Sequence, residues 1–176
     1  MKYVALLRGI NVGGNHKVPM TELRHVFEVL GLTDIATYSN SGNIIFNSEI
    51  TPDASVIAKA LASHFDFDIN VLVLSAAQIT TVAKVIPEEW LNNTEQKSDV
   101  LFLFGDVDTP DIIDQIRYRP EFETILYVPG TLIANISRKN QPKSSLVKLI
   151  GTPLYRRMTI RNVTTVRKLA ELVHSS

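Results

Sequence analysis

The 176-residue sequence predicts an α+β fold of two tandem ferredoxin-like (βαββαβ) halves, each an antiparallel sheet with helices on one face. Three observations carry this expectation. Short apolar runs of strand length alternate with stretches whose apolar residues recur at helical spacing. The tight-turn sequences Asn40-Ser41-Gly42-Asn43 and Pro129-Gly130 each join a pair of strand-like runs, at the same place in either half. The order of elements before the polar stretch 92–97 returns after it, although no residue-level repeat is visible.

In the first half, residues 2–8 suit a buried central strand and lead into the glycine-rich stretch RGINVGGNHKV. A helix follows, with Pro19 at its first position, Met20, Leu23, Phe27 and Leu30 on one face, and Gly31 closing it. Strands are expected at 33–39 and 43–47. Thr51 then caps a second helix with Pro52 leading, turning Val56, Ile57, Ala60, Leu61 and Phe65 inward, before a fourth strand at 69–74. Ser75 and Gln78 read as a capping box for a helix that Pro87 ends. The second half starts with a strand at 99–104 and a helix capped by Thr109 with Pro110 leading. Strands at 123–128 and 131–137, a helix at 144–150 stopped by Gly151, and a strand near 156–160 come next. The last helix shows Val166, Leu169, Ala170 and Val173 at helical spacing. The halves are thus expected at 1–86 and 98–176, with 87–97 as a linker.

Composition narrows the chemistry. With 45% hydrophobic residues the chain can bury a core without staples, and having no cysteine it uses neither disulfides nor thiolates. No apolar run reaches the length of a membrane span or a signal-peptide core, so the cytoplasm is the expected compartment. The zero formal charge hides a split: residues 1–137 hold 9 Lys or Arg against 17 Asp or Glu, whereas 138–176 hold 9 against 1. Either the two parts compensate each other, or the basic part, with Arg138, Lys139, Lys143, Lys148, Arg156, Arg157, Arg161, Arg167 and Lys168, offers a field to an anion.

The predicted topology has a geometric consequence. Right-handed crossovers run the first two strands the same way, so the loop 8–17 and the hairpin 40–43 meet at one sheet end, joined by 66–68. The converging set is Arg8, Gly9, Asn11, Gly13, Gly14, Asn15, His16, Lys17, Ser39, Asn40, Ser41, Gly42 and Asn43. Glycine amides, a helix N-terminus and two cations suit an anion, though glycines also serve tight turns and SNSGN also suits a hairpin tip. Neither the Walker spacing nor the dinucleotide fingerprint is present, and no cofactor is named by the sequence. A nucleophile reading would take Ser41 or Ser39 with His16 as base and Asp66 or Asp68 as orienter, but no GxSxG elbow surrounds either serine. Asp106, Asp108 and Asp111 lack the calcium-loop spacing, and no metal is implied. Arg161 and Asn162, ahead of Thr164 and Thr165, form a second candidate anion cradle, with a plain N-cap as the rival. For RNA, the first sheet supplies too few aromatics at alternate positions of its central strands. Its aliphatic open face is expected to pack on the second half or on another copy of the chain, as in a homodimer.

Three segments, ALLRGINVGG (5–14), YSNSGN (38–43) and RNVTTVRKL (161–169), resemble the recurring motifs of the bacterial "domain of unknown function 1697" family. The resemblance runs along the whole chain and implies a two-part ferredoxin-like fold with no established activity. The sequence therefore points to binding of a phosphate-bearing ligand, either a nucleotide-like small molecule or a nucleic-acid backbone, at the RGINVGG/SNSGN end of the first sheet. The rivals are a hydrolase or transferase acting on such a ligand there, and a purely structural homodimerising module.

Overall fold

The computed structural model describes residues 1–175. They form two compact units, one of residues 1–80 together with the chain from Leu169 onward, the other of residues 81–168. Each unit holds a four-stranded antiparallel sheet.

In the first unit the order is β1 (Lys2–Leu7), α1 (Met20–Val29), β2 (Thr33–Tyr38), β3 (Asn43–Asn47), α2 (Ala54–Phe65), β4 (Val71–Ser75) and the start of α3 (Ala76–Val85). The strands lie in the order β2-β3-β1-β4, the ferredoxin-like arrangement. Pairing of Ala5 with Ile44 on one side and Val73 on the other places β1 at the centre, as its uninterrupted apolar run requires. Tyr3, Ala5, Leu7, Ile44 and Phe46 face α1 and α2, where Leu23, Phe27, Ile57 and Leu61 complete a core. The Phe27 and Phe46 rings meet edge to face at 5.3 Å. Burying side chains of this size is worth about 1.5–3 kcal/mol each, so these contacts, more than helix propensity, hold α1 and α2 in place. On the opposite face Val4, Leu6 and Ile45 are buried as well.

The second unit repeats the plan with β5 (Gln96–Leu103), α4 (Ile112–Gln115), β6 (Glu123–Val128), β7 (Thr131–Ser137), α5 (Ser145–Leu149), β8 (Met158–Asn162) and the first part of α6 (Val163–Leu172), strand order β6-β7-β5-β8. Leu101, Leu103, Ile112, Ile125, Leu132, Leu149 and Met158 make its core. Among the described residues no helix is long and apolar enough to cross a membrane.

Several local expectations move. The cap of α2 is Asp53, whose carboxylate accepts the Ser55 amide at 2.8 Å, and not Thr51. The helix starts at Ala54, two residues beyond Pro52, so the cap position falls on Asp53. Thr109 does not cap α4 with its side chain; its carbonyl accepts the Ile112 amide instead, and only four residues are helical, too few for a strong periodic signal. β5 starts at Gln96, inside the stretch read as a linker, where Trp90 is also buried. β8 starts two residues later than expected, at Met158. The capping box of α3 is reciprocal, Gln78 N donating to Ser75 Oγ and Ser75 N to Gln78 Oε1 at 2.8 Å.

The Asp53 carboxyl is held below the ordinary carboxylate range, first by its hydrogen bond from Ser55. A depressed folded pKa contributes stability that is present above the unfolded value near 4 and lost as pH falls through the folded one. Asp53→Ala is therefore expected to lower the denaturation midpoint at pH 7, with the gap to wild type closing below pH 3. A gap unchanged between pH 7 and pH 2.5 would show that the carboxylate is not the cap.

Candidate functional site

The glycine loop between β1 and α1 folds as a small hairpin of its own. Asn15 N donates to Val12 O and Asn11 N to His16 O, with Gly13 and Gly14 at the turn (φ 59° and 80°). Both turn positions are left-handed, the geometry of a two-residue primed turn that glycine adopts without strain. α1 starts beyond it, with Pro19 at its N-cap and no side-chain cap.

Asn11 ties this hairpin to its surroundings. Its Oδ1 accepts the Val18 amide at 2.8 Å, while Nδ2 donates to Val18 O at 3.1 Å and to Asn40 O at 2.9 Å. One amide thereby joins the glycine loop, the start of α1 and the β2–β3 hairpin tip. Two backbone bonds close the same end of the sheet, Leu7 N to Gly42 O and Arg8 N to Asn70 O. The segment before β4 arrives there too, with the His16 ring stacked on Phe67 at 4.5 Å. The convergence of 8–17, 40–43 and 66–68 expected from topology is what the structure shows.

The individual side chains divide into braces and an exposed rim. Asn43 is buried, and its Nδ2 donates to Tyr38 O at 2.9 Å and Ser41 Oγ at 3.0 Å; Ser39 and Ser41 hydroxyls meet at 2.7 Å. Asn11, Ser39 and Asn43 therefore spend hydrogen-bonding capacity on building the tip. Gly9, Gly13, Gly14, Asn15, His16, Lys17, Asn40 and Ser41 are exposed, and Arg8 is half-buried. Gly42 is the tightest point: a Cβ there would lie 2.7 Å from Leu7 Cβ and 3.0 Å from Ile10 Cδ1. Of the groups weighed as a nucleophile system, Ser41 contacts Ser39 and Asn43, His16 stacks on Phe67, and Asp66 forms the left-handed end of α2.

Arg161 and Asn162 belong to the second unit. Arg161 is buried on β8, where Nη1 donates to Thr159 Oγ1 at 3.0 Å and Ile160 O at 2.8 Å, and burial pushes its pKa down to about 10. Asn162 Oδ1 accepts the Thr165 amide at 2.8 Å, so its acceptor occupies a donor that an anion at the start of α6 would need. Asp108 accepts from Tyr127 Oη and Gly130 N, and Asp106 pairs with Arg157, whose hydrogen bond holds that carboxyl below its usual range. Asn70 and Phe67, which close the loop cluster, carry no sequence signal beyond their place before β4.

With this geometry in view, a comparison with known families is decisive. A family described as "Protein of unknown function (DUF1697)" matches residues 1–133. The chain belongs to DUF1697. Among solved structures, it is similar to the conserved bacterial protein SP0830 from Streptococcus pneumoniae, at 30% identity and a TM-score of 0.79 over 98% of each chain. No curated protein matches. The DUF1697 match takes in the whole RGINVGG/SNSGN end of the first sheet.

Proposed function

We propose that this DUF1697 protein binds a phosphate-bearing ligand, a nucleotide-like small molecule or a nucleic-acid backbone, at the loop end of its first sheet. The observation that carries this reading is the Asn11 bridge, which holds the glycine hairpin and the SNSGN tip side by side. Arg8, Lys17 and the Gly13-Gly14 turn belong to the loop that leads into α1, whose start has no side-chain cap among the described residues. A helix N-terminus with backbone amides and full charges beside it favours phosphate oxygens. Likeness to a bacterial protein supports a bacterial setting, and the cytoplasm is the compartment this reading assumes.

The test is calorimetric titration with inorganic pyrophosphate. Charge-assisted hydrogen bonds contribute roughly 1.5–3 kcal/mol each, so Arg8→Ala with Lys17→Ala is expected to weaken binding by at least about tenfold. An unchanged titration in the double variant would end the proposal. Turnover of pyrophosphate that disappears in Ser41→Ala or His16→Ala would move the reading to a hydrolase. For a nucleic-acid ligand, affinity should fall steeply with salt.

A further inference from the structure

The two units share one strand order, and their hydrogen-bond registers match: Leu7 N donates to Gly42 O in the first and Leu103 N to Gly130 O in the second. By that register Tyr3 and its cross-strand partner Phe46 correspond to Asp99 and its partner Ala134. In the first unit the two rings stack at 5.9 Å and belong to the core that α1 and α2 cover. In the second unit both rings are gone, and α5, the counterpart of α2, has 5 residues where α2 has 12. A cavity of about 240 Å³ lies there instead, with Asp99 and Ala134 in its wall.

Leu146, Val147, Ile150, Tyr155 and Ile160 make much of the remaining wall. Among these groups stands one ion pair, Lys97 with Asp99. Asp99 is only 7% exposed, yet Lys97 is the one group that hydrogen-bonds its carboxylate among the described residues. The other oxygen, Oδ1, has no partner, and unlike the sealed Ser145 Oγ it keeps solvent access, on a residue that lines the cavity. Glu123, also in the wall, is committed: its carboxylate accepts the Ser144 hydroxyl at 2.7 Å and the Ser145 amide at 3.0 Å. Holding a carboxylate where a ring would pack costs free energy unless both its oxygens are paired. A free carboxylate oxygen in an apolar-walled cleft therefore points to a ligand.

The chemistry of that ligand follows from the groups it meets. Asp99 Oδ1 calls for a donor, and a cationic donor forms the stronger bond. A lone ammonium would compete with Lys97 for one carboxylate, whereas a ligand that also carries a carboxylate gives Lys97 a partner of its own. The apolar space corresponds to the aromatic pair missing from this unit, which suits a ring. At about 240 Å³ the cavity is smaller than the usual pockets of about 300–1,000 Å³, so the body is a small one. We propose that this cavity binds an aromatic α-amino acid: its ammonium donates to Asp99 Oδ1, its carboxylate pairs with Lys97, and its ring takes the place that the Phe46 ring has in the first unit. The cavity shares no residue with the loop site and stands independently of it.

The test uses the full-length chain, labelled with nitrogen-15 and titrated with L-phenylalanine while amide shifts are followed. Saturable shifts are expected at 97–99, 134–136 and 146–150. Phenethylamine, which lacks the carboxylate, and glycine, which lacks the ring, should each bind at least about tenfold more weakly. Asp99→Asn removes the charge with little change of shape and should weaken the fitted Kd for phenylalanine at least about tenfold. Ala134→Phe restores the ring that Phe46 supplies in the first unit and should abolish binding. Lys97→Met, at a half-buried position, should weaken phenylalanine but not phenethylamine. Phenylalanine shifts that persist unchanged in Asp99→Asn and Lys97→Met, shifts confined to other parts of the chain, or no saturable shift would overturn the proposal. Phenethylamine binding as tightly as phenylalanine would overturn it as well.

Discussion

Gly42→Ala is expected to lower the unfolding free energy by about 2–5 kcal/mol, the sum of a left-handed backbone penalty of about 1–2 kcal/mol and an overpacking cost of about 1–3 kcal/mol. The residue sits at φ 78°, and an added methyl would stand 2.7 Å from Leu7 Cβ and within 3.2 Å of two Ile10 carbons. Leu7 and Ile10 are both buried, so neither can swing into solvent to make room. Gly31 separates the two contributions: its φ is 77°, nearly the same, but an added Cβ there meets nothing within 4 Å. Gly31→Ala should therefore cost only the backbone part, about 1–2 kcal/mol. Guanidinium denaturation of the two variants measures the difference. Equal costs would show that the hairpin tip is not seated against Leu7 and Ile10, and the loop cluster would lose its foundation. The alanine should also weaken any pyrophosphate binding, because the Leu7 N to Gly42 O bond that registers the tip against β1 has to lengthen.

What could be read in advance followed from local chemistry and from the few topologies a polypeptide can adopt. Gly42 and Gly130 announced the two hairpins, since tight turns between strands need positive φ. Apolar residues spaced as in Leu23, Phe27, Ile57 and Leu61 announced α1 and α2 and the face they bury. The meeting of the glycine loop with the hairpin tip needed only the right-handed crossover rule. The internal wiring of the cluster was not legible. Asn11 reaches a carbonyl 29 residues away, a partner that no local pattern reveals. Asn43 belongs to the tight-turn sequence, yet it is fully buried, with its amide donating to the Tyr38 carbonyl inside the tip. α3 and α6 each contribute to both units, an assignment that follows from contacts and has no local sequence pattern.

Asn11→Asp should damage the loop end more than Asn11→Ala, although aspartate is the closer match in shape. In the native arrangement the side-chain oxygen accepts the Val18 amide at 2.8 Å, and the side-chain nitrogen donates to Val18 O and Asn40 O at 3.1 and 2.9 Å. Alanine forfeits three hydrogen bonds worth about 1 kcal/mol each, of which those facing solvent are partly replaced by water, for a loss of roughly 2 kcal/mol. Aspartate keeps the acceptor but turns a second carboxylate oxygen toward two carbonyl oxygens, adding repulsion to the lost bonds, for roughly 3 kcal/mol in all. The pH dependence separates the two variants. An ionised carboxylate introduced at this position is disfavoured in the folded state, which raises its folded pKa above the unfolded value. The destabilisation is then full well above that folded pKa and relieved as pH falls through it, where a protonated oxygen can again donate to a carbonyl. Denaturation midpoints of Asn11→Asp should accordingly recover toward wild type between pH 7.5 and 5, while those of Asn11→Ala track wild type at a constant offset. Pyrophosphate affinity should fall in both, and further in the aspartate, whose negative charge lies beside the expected phosphate oxygens. Equal, pH-independent losses in the two variants would mean that the Asn11 nitrogen donates to neither carbonyl, and that the glycine hairpin and the SNSGN tip are held together by something else.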